Sequence, residues 1–382
     1  MSDDWAIALE RTLRNNTSRL DTIFADYPFL ADHAVRLRQA KQKALDRLDE
    51  YVKMTCESVE KSGGVPHIAK DREDAQRIVK EICGSPGIVI FSKTNVALEL
   101  GLRESLSTQG HEVWETDLGE FLIQLANDHP SHIVQPALHL TKEMVGRLLH
   151  DKLDPTVSAS SSYEDLVAAV RAFLFKKYVA AKVGITGANA VAADTGSVIL
   201  VENEGNIRMD TVVPSIHISV TGIDKIVPTL DDAFLEAQVQ AAYAGLYPPT
   251  YINITSGPSS TADIESKKVS PATGPKEFHL VLVDNGRRKA RDDPDLRDAL
   301  LCIRCGRCYF SCPVYWTIGS EWSPPPYGGP MGAMWSAVVS DDTRPASLCT
   351  HSGGCKVVCP VQIDVPKVIE HIKWLNSKRE TT

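Results

Sequence analysis

Seven of the nine cysteines lie near the C-terminal end of the sequence, between positions 302 and 359. Four of them are spaced C-x2-C-x2-C-x3-C and are followed by Pro313: Cys302, Cys305, Cys308 and Cys312. This is the spacing of bacterial ferredoxins, in which the first three thiolates bind one iron-sulfur cluster and the fourth binds another. The pattern therefore predicts two clusters and requires a second group of cysteines elsewhere.

A second run of three cysteines also ends in Cys-Pro and supplies that group: Cys349, Cys355 and Cys359. Its last member, Cys359, is expected to reach back and complete the cluster begun by the first run. The predicted ligands of this cluster, here called the first cysteine set, are Cys302, Cys305, Cys308 and Cys359. Four thiolates predict a [4Fe-4S] cluster.

The second cluster retains three thiolates, here called the second cysteine set: Cys312, Cys349 and Cys355. Ser352 stands where a C-x2-C run would place a fourth thiolate, and serine oxygen is a harder, poorer ligand for iron. We therefore expect a [3Fe-4S] cluster. The alternative is a [4Fe-4S] cluster whose fourth iron binds Ser352, His351, water or a substrate.

Other interpretations of the cysteines fit less well. A reducing compartment disfavours disulfides, and a structural zinc site would use four thiolates in two separated pairs.

Arg304, Arg307 and Lys356 lie among the predicted ligands. They form either a solvated basic rim, which would steer an acidic redox partner, or a set of cations that raises the cluster potentials.

The histidines give a weaker signal than the cysteines. His132, His139 and His217 lie beside predicted strands, where hydrogen-bonded structural roles are more common than ligation. His351, between two cluster cysteines, is the histidine most worth probing.

Composition restricts the class of partner and the location. The net charge of -8 argues against non-specific nucleic-acid binding, which depends on Lys and Arg neutralising phosphates. The apolar runs are strand-sized and fall short of the roughly 20 residues of a membrane span. The N-terminal residues lack the basic and apolar regions of a secretory signal. These observations predict a cytoplasmic protein whose partners are proteins or small molecules.

The rest of the chain alternates helical and strand patterns, which predicts an α/β fold with an open, largely parallel sheet. Strands are expected at residues 87–91, 112–116, 131–138, 197–202, 212–220 and 278–284. Helices are expected at residues 34–60, 75–82, 92–106, 141–150, 162–180 and 231–244. The predicted organisation is a helical arm at 1–33, an α/β domain at 34–290 and a small two-cluster, ferredoxin-like helical domain at 291–382.

Seven residues are candidates for lining a crevice at one edge of this sheet: Lys93, Asn189, Asp194, Thr195, Asn203, Glu204 and Asn206. Ligands of α/β sheets bind beyond the carboxyl ends of the strands, and Glu204 follows the strand predicted at 197–202. Lys93 would bind an anionic group, and Glu204 is the candidate acid, base or nucleophile. The alternative is that these residues shape turns and carry ordinary surface charges. No catalytic residue is assigned.

Four segments, taken in order, resemble the lactate-utilisation (LUD) domain: SKTNVALELGL (92–102), SHIVQPALH (131–139), GITGANAVAADTGSVILVENEGN (184–206) and SGPSSTADIE (256–265). DNGR and the following CIRCGRCYFSCPVY extend the resemblance, over roughly residues 35–375, to iron-sulfur subunits of bacterial L-lactate utilisation systems. The second cysteine run, C-x5-C-x3-C-P, is similar in spacing to iron-sulfur subunits of succinate dehydrogenase and fumarate reductase, which implies a three-iron centre.

The resemblance implies a fold similar to the ribose-isomerase and CoA-transferase group. It also implies an electron-transfer subunit of a three-component complex that oxidises L-lactate to pyruvate. The implied partners are a cysteine-rich oxidoreductase subunit and a second LUD-type subunit. The alternative function is an enzyme that binds an acyl, sugar-phosphate or CoA-like ligand at the Glu204 loop, with accessory clusters.

Overall fold

The computed structural model describes residues 3–323 and 325–380. The strands of this part of the chain are β1 (Val65–Ala69), β2 (Ile88–Phe91), β3 (Glu112–Glu115), β4 (Val183–Thr186), β5 (Ala190–Ala192), β6 (Val198–Glu202), β7 (Ile216–Gly222), β8 (Ile226–Val227), β9 (Tyr251–Thr255) and β10 (Glu277–Val283).

The helices are α1 (Asp3–Asp26), α2 (Phe29–Asp46), α3 (Leu48–Lys61), α4 (Arg72–Cys83), α5 (Asn95–Glu99), α6 (Leu102–Thr108), α7 (Leu118–Ala126), α8 (Lys142–Lys152), α9 (Tyr163–Ala180), α10 (Asn206–Val212), α11 (Leu230–Tyr243), α12 (Arg287–Asp292), α13 (Arg307–Phe310), α14 (Pro313–Ile318), α15 (Gly329–Val339), α16 (Gly354–Val357) and α17 (Val365–Glu380). Short 3-10 turns lie at Ile223–Lys225, Arg297–Leu301, Gly319–Trp322 and Arg344–Leu348.

The larger sheet contains six parallel strands in the order β1-β10-β7-β4-β2-β3. β4 pairs with both of its neighbours, so Val183 lies opposite Val89 on β2 and Ile216 on β7. Its inner strands contain buried apolar runs, such as Val89 to Phe91 on β2 and Leu280 to Val283 on β10, as expected where both faces of a parallel sheet are covered. The prediction of an α/β fold with a largely parallel sheet is confirmed.

Alternate side chains of β10 enter the two cores on either side of this sheet. Val281 packs in a core that includes Val79 of α4 and Leu106 of α6. Leu282 packs in the opposite core, which includes Val52 of α3 and Val198 of the smaller sheet. The larger sheet is therefore the central layer.

The smaller sheet has the strand order β8-β5-β6-β9. β5 and β6 form an antiparallel pair in which Val191 lies opposite Val198, and β9 runs antiparallel to β6. The sequence predicted only β6 of these four. β5 and β8 contain three and two residues, too few for a periodic pattern to show.

The segment 131–138 was expected to be a strand, and this is wrong. It is an irregular loop with its own hydrogen bonds: the Ser131 N–H donates to the Pro136 carbonyl at 2.9 Å, and His132 Nδ1 accepts from the Val134 and Gln135 N–H groups at 3.2 and 3.1 Å. Pro136 cannot donate to a ladder, which explains why an apolar run here does not form a strand.

Two predicted helices are each divided in two. The helix expected at 34–60 is interrupted at Arg47, between α2 and α3. The helix expected at 92–106 is interrupted at Gly101, which has a left-handed φ of 63°. Such single-residue breaks reorient a helix without removing its apolar periodicity.

The C-terminal helices share a hydrophobic core with N-terminal ones. Leu37 of α2 and Val239 of α11 pack in the same core as Trp335 of α15 and Ile369 of α17. Arg38 Nη1 donates to the carbonyls of Val361 and of Gln362, the latter at 2.8 Å. The predicted boundaries at 33 and 290 fall inside α2 and α12, so no unstructured linker separates the cysteine-rich region.

Candidate metal centre and ligand cavity

The first three members of the first cysteine set lie on one tight loop that runs into α13: Cys302, Cys305 and Cys308. Arg304 and Gly306 bend this loop through left-handed conformations, with φ of 60° and 76°. Cys359 approaches from far along the chain, just after α16, and lines the same small cavity as the other three cysteines. The structure therefore brings all four together.

Burial and the mutual repulsion of the cysteine charges disfavour the thiolate form of these four residues unless cations are present. Burial raises the pKa of Cys305 to about 12 and that of Cys359 to about 11, and the charge of Cys302 adds to both shifts. Burial and the charges of the neighbouring cysteines raise the pKa of Cys308 well above its usual value. Thiolate ligands here need metal ions to offset their charge, and the donor set fits an iron-sulfur cluster.

The sulfur atoms are spaced more widely than a single metal ion requires. Within residues 3–323 and 325–380, no three cysteine sulfurs lie within 4.8 Å of one another. Thiolates on one tetrahedral zinc ion, with Zn–S bonds of about 2.3 Å, stand about 3.8 Å apart. In a cluster each thiolate binds a different iron and the sulfurs are further apart.

The second cysteine set adjoins the first. Cys312 directly precedes α14, Cys349 follows the 3-10 turn Arg344–Leu348, and Cys355 lies on α16. Burial, with the charges of Cys312 and Cys349, raises the pKa of Cys355 to about 12. Cys355 also lines the cavity of the first set. Metal groups held by the two sets would thus be immediate neighbours.

Backbone N–H groups point at two of the sulfurs. The Ile363 N–H donates to Cys359 Sγ at 3.3 Å, and the His351 N–H donates to Cys349 Sγ at 3.4 Å. Such hydrogen bonds are among the factors that set cluster potentials. The side chains of His351 and Ser352, the two alternative ligands, are exposed, and His351 Nε2 lies 3.1 Å from Lys373 Nζ.

Arg304 is buried and paired, so it is no part of a solvated rim. Its side chain is 5% exposed, and its guanidinium lies 4.3 Å from the centre of the Trp335 ring. Arg304 Nη1 donates to Asp224 Oδ2 at 2.9 Å. The other oxygen of Asp224 accepts from Arg287 Nε at 2.6 Å, and Arg287 also pairs with Glu99. A buried chain of charges therefore connects the cysteine loop to the larger sheet.

The other two basic residues differ from Arg304. Arg307 is half-buried and donates to Asn16 Oδ1 at 3.0 Å. Lys356 is exposed and pairs with Asp364 at 2.5 Å. Of the three basic residues, Lys356 is therefore the exposed one, and its charge is paired with that of Asp364.

The three strand-adjacent histidines are hydrogen-bonded, as their positions suggested. His132 Nε2 lies 3.2 Å from the Gly306 carbonyl, His139 Nε2 lies 3.0 Å from Asp128, and His217 Nε2 lies 2.9 Å from Thr186. Burial lowers the pKa of His132 and of His217 to about 3. Both are neutral, and His132 connects the irregular loop 131–138 to the cysteine loop.

A cavity of about 410 Å³, here called the crevice cavity, lies beyond the carboxyl ends of β2, β4 and β6. Five of the seven residues predicted for a crevice line it: Lys93, Asn189, Asn203, Glu204 and Asn206. Asn189 precedes β5 and accepts from the Val201 N–H at 2.8 Å. Asn206 is buried and donates to Thr116 Oγ1 at 3.3 Å. Asn203 accepts from the Thr250 N–H at 2.9 Å.

Glu204 lies at the mouth of the crevice cavity. One carboxylate oxygen accepts from the Leu118 N–H at 3.0 Å. Although part of the side chain is exposed, burial of the carboxylate raises the pKa of Glu204 to about 7, and the charge of Asp117 adds to this shift. Lys93 acts in the opposite direction. Glu204 can therefore hold or release a proton near neutral pH.

The structure does not bring Asp194 and Thr195 to the crevice cavity, so their assignment to it is corrected. Both lie in the turn between β5 and β6, where Ser58 Oγ donates to the Asp194 carbonyl at 3.2 Å. Because β6 runs from this turn to Glu202, the turn and the cavity are at opposite ends of the strand. Asp194 and Thr195 are close to β6 in sequence, but they lie at its amino end, whereas the cavity lies at its carboxyl end.

Sequence reasoning missed several residues of the cavity wall: Ser92, Thr221, Lys225, Gln240 and Arg304. Ser92 was detectable, because it directly follows a predicted strand and precedes Lys93. Lys225 and Gln240 carried no motif. Both donate to the Ile303 carbonyl in the cysteine loop, at 3.4 and 2.6 Å, a contact that only the tertiary fold creates.

Two family models match the chain. The model of the LUD domain matches residues 52–283, and that of the 4Fe-4S dicluster domain matches residues 298–363. No helix of the described residues is both long enough and apolar enough to span a bilayer.

Similar proteins match most of the chain in sequence. The chain is 36% identical over 307 residues to "Uncharacterized electron transport protein YkgF" of Escherichia coli K12, which covers 80% of this chain and 62% of that protein. It is 37% identical over 305 residues to "Lactate utilization protein B" of Bacillus subtilis 168, covering 79% of this chain and 61% of that protein. The chain thus spans about three fifths of the length of these relatives.

Among solved structures, a DUF162 family protein from Deinococcus radiodurans matches 62% of this chain and 98% of its own, with 15% identity and a TM-score of 0.33. The family rests on the sequence matches. The LUD model covers more than half of the chain and includes both sheets, while the dicluster model covers both cysteine sets. The chain therefore belongs to the LUD domain family, and a 4Fe-4S dicluster domain follows its LUD domain.

Proposed function

We propose that this chain is an iron-sulfur electron-transfer subunit of a multi-subunit oxidoreductase. The observation that carries the proposal is the convergence of seven cysteines into two adjoining sets within a region that matches a dicluster domain. Clusters bound there would supply one-electron redox chemistry. The residues of this chain would bind the clusters, shield them from solvent and influence their reduction potentials.

The ligand assignment follows the two sets. Cys302, Cys305, Cys308 and Cys359 would hold a [4Fe-4S] cluster. Cys312, Cys349 and Cys355 would hold the second cluster, for which three thiolates favour [3Fe-4S] over [4Fe-4S]. The exposure of Ser352 supports this preference, because an exposed hydroxyl gains little by replacing water at iron.

The surroundings of the two cysteine sets bear on where a redox partner would approach the protein. Cys305 and Cys308 adjoin the buried Arg304 and His132, whereas Cys349 adjoins the exposed loop that carries His351. This exposed loop would let a redox partner approach Cys349 of the second set.

We propose L-lactate as the substrate of the assembled complex, supported by the name of the Bacillus subtilis relative. Oxidation of lactate to pyruvate releases two electrons and two protons. A cysteine-rich partner subunit would oxidise lactate, this chain would pass the electrons singly to an acceptor, and a second LUD-type subunit would complete the assembly. The electron transport named for the Escherichia coli relative supports the same role.

Anaerobic purification of the chain from its native host, with analysis of co-purifying proteins, iron and acid-labile sulfide, tests the proposal. We expect absorbance of two clusters that dithionite bleaches, co-purification of a cysteine-rich protein, and no lactate oxidation by the isolated chain. Full lactate dehydrogenase activity of the isolated chain would show that the relay role is wrong. Stoichiometric zinc in place of iron would exclude electron transfer.

A further inference from the structure

We propose that the crevice cavity binds a small hydroxylated organic anion, such as a hydroxy-carboxylate, beside the loop that carries the first cysteine set. The site does not depend on the electron-carrier proposal. It is argued from unpartnered buried donors, from the charge of Lys93 and from the size of the cavity.

Three side chains of the cavity wall have buried polar atoms without a hydrogen-bond partner in the described chain. They are Ser92 Oγ, Thr221 Oγ1, and the Nε and Nη2 atoms of Arg304. Ser92 and Thr221 are each 1% exposed and Arg304 is 5% exposed. Buried polar groups are normally satisfied, so unpaired groups that converge on one cavity indicate a polar occupant.

The wall carries charges of both signs, since Asp117, Glu202 and Glu204 line it together with Lys93, Lys225 and Arg304. Lys225 pairs with Glu236 at 3.1 Å and Arg304 pairs with Asp224 at 2.9 Å, so both cations are balanced. Lys93 donates to the Val134 carbonyl at 2.5 Å and forms no ion pair with any residue of the described chain. Its positive charge is therefore available to a carboxylate or phosphate group in the cavity.

Other residues of the cavity wall favour hydroxyl groups on the same ligand. Only one oxygen of Glu204 is hydrogen-bonded within the described chain, to the Leu118 N–H. The other can accept from a ligand hydroxyl. Ser92 and Thr221 can donate to or accept from further hydroxyls. This combination of donors and acceptors in one cavity disfavours a purely apolar ligand.

The volume of about 410 Å³ lies in the range of small-molecule pockets and exceeds what one inorganic ion fills. Arg304 and Ile133 line both this cavity and the cavity of the first cysteine set. A bound anion would therefore lie close to the cysteine loop, of which Arg304 is a part. If an iron-sulfur cluster is bound there, the negative charge of the anion disfavours reduction of the cluster. By linkage, reduction of the cluster weakens anion binding by the same free energy.

The test is isothermal titration calorimetry of the anaerobically purified protein with three probes: sodium D-gluconate, sodium L-lactate and inorganic phosphate. We expect at least one of the two carboxylates to bind, and binding of lactate alone or of gluconate alone distinguishes a short from a longer ligand. Lys93→Ala and Thr221→Val should each weaken that binding at least tenfold. Lys176→Ala, which removes an exposed lysine of α9, should not change it.

Iron content and the thermal midpoint of each variant show that it is folded, so loss of binding is interpretable. Failure of both carboxylates to bind, binding of phosphate alone, or binding that survives both substitutions would overturn the proposal. A potentiometric titration of the first cluster with and without the bound probe tests the linkage separately. Tenfold weaker binding to the reduced protein corresponds to a fall in potential of 59 mV for a one-electron couple.

Discussion

Arg304 Nη1 lies 2.9 Å from Asp224 Oδ2, and this buried pair joins the cysteine loop to the turn that follows β7. Asp224 also accepts from Arg287 Nε at 2.6 Å. Burial alone would raise the pKa of Asp224, but the two guanidinium groups hold it below its usual range. One carboxylate therefore positions two buried cations.

Asp224→Asn should destabilise the protein strongly, because it leaves both guanidinium groups without their shared charge. Removing one partner of a buried ion pair costs about 3–5 kcal/mol. Urea unfolding of the anaerobic protein measures the loss of free energy. The matched variant Asp46→Asn breaks an exposed pair with Arg297 and should cost less than about 1 kcal/mol. Equal effects of the two variants would contradict the structural role of Asp224.

Cys359→Ser should abolish the first cluster and leave the α/β region folded. One of four thiolates is removed, and the sulfur lost is the only one of its set that comes from outside the cysteine loop. Iron and sulfide analysis with visible absorbance measures the result. Cys56→Ser, on α3 and outside both cysteine sets, should retain the full iron content. A Cys359→Ser protein with an intact [4Fe-4S] signal would refute the assignment.

The second cluster should give a spin-half electron paramagnetic resonance signal in the oxidised, anaerobically isolated protein. This is the expectation for a three-iron centre bound by Cys312, Cys349 and Cys355. Ser352→Cys should convert it to four irons and remove the oxidised signal, whereas Ser347→Cys, an exposed position outside the run, should not. About eight irons per chain without an oxidised signal in the unsubstituted protein would exclude [3Fe-4S].

Stability should fall as pH rises from about 4.5 to 7, in part because of Glu120. Both of its carboxylate oxygens are buried without a hydrogen-bond partner in the described chain, and burial raises its pKa from 4.5 to about 7. Folded Glu120 binds a proton that the unfolded chain has released in this window, so ionisation favours unfolding. The expected loss is at most about 3 kcal/mol.

Glu120→Gln removes the titrating group and should flatten this part of the profile of unfolding free energy against pH. Glu164→Gln replaces an exposed glutamate in the first turn of α9 and should leave the profile unchanged. A steep loss of stability between pH 4.5 and 7 in Glu120→Gln, equal to that of the unsubstituted protein, would show that Glu120 is not its source.

Much of the fold could be predicted because its signals are local. β10 ends in the apolar run Leu280 to Val283, and α4 carries Ala75, Ile78 and Val79 on one face, so both are visible in a short window. β5 and β8 are too short to show a period, and the loop at 131–138 is apolar because Ile133 packs in a tertiary core rather than in a sheet. Hydrophobicity alone does not distinguish these two causes of burial.

The cysteine sets and the crevice were predictable to different degrees. The spacing of Cys302, Cys305 and Cys308 is visible within a short stretch of sequence. The Cys-Pro ending that both cysteine runs share indicated that the two runs belong together. The partners of Arg304 were not predictable, since Asp224 and Trp335 are distant in sequence and carry no motif. The error at Asp194 arose because a strand has two ends, and only the fold decides which one faces the cavity.

Arg38 of α2 holds the carbonyl groups of Val361 and Gln362, directly after the Cys359-Pro360 pair. Metal bound to Cys308 and Cys359 would close the long stretch of chain between them into a ring, with one side anchored to an N-terminal helix. Closing such a ring reduces the conformational entropy of the unfolded chain. Bound iron would thus act as a cross-link within the C-terminal region, and its oxidative loss would remove this contribution to the stability of the fold.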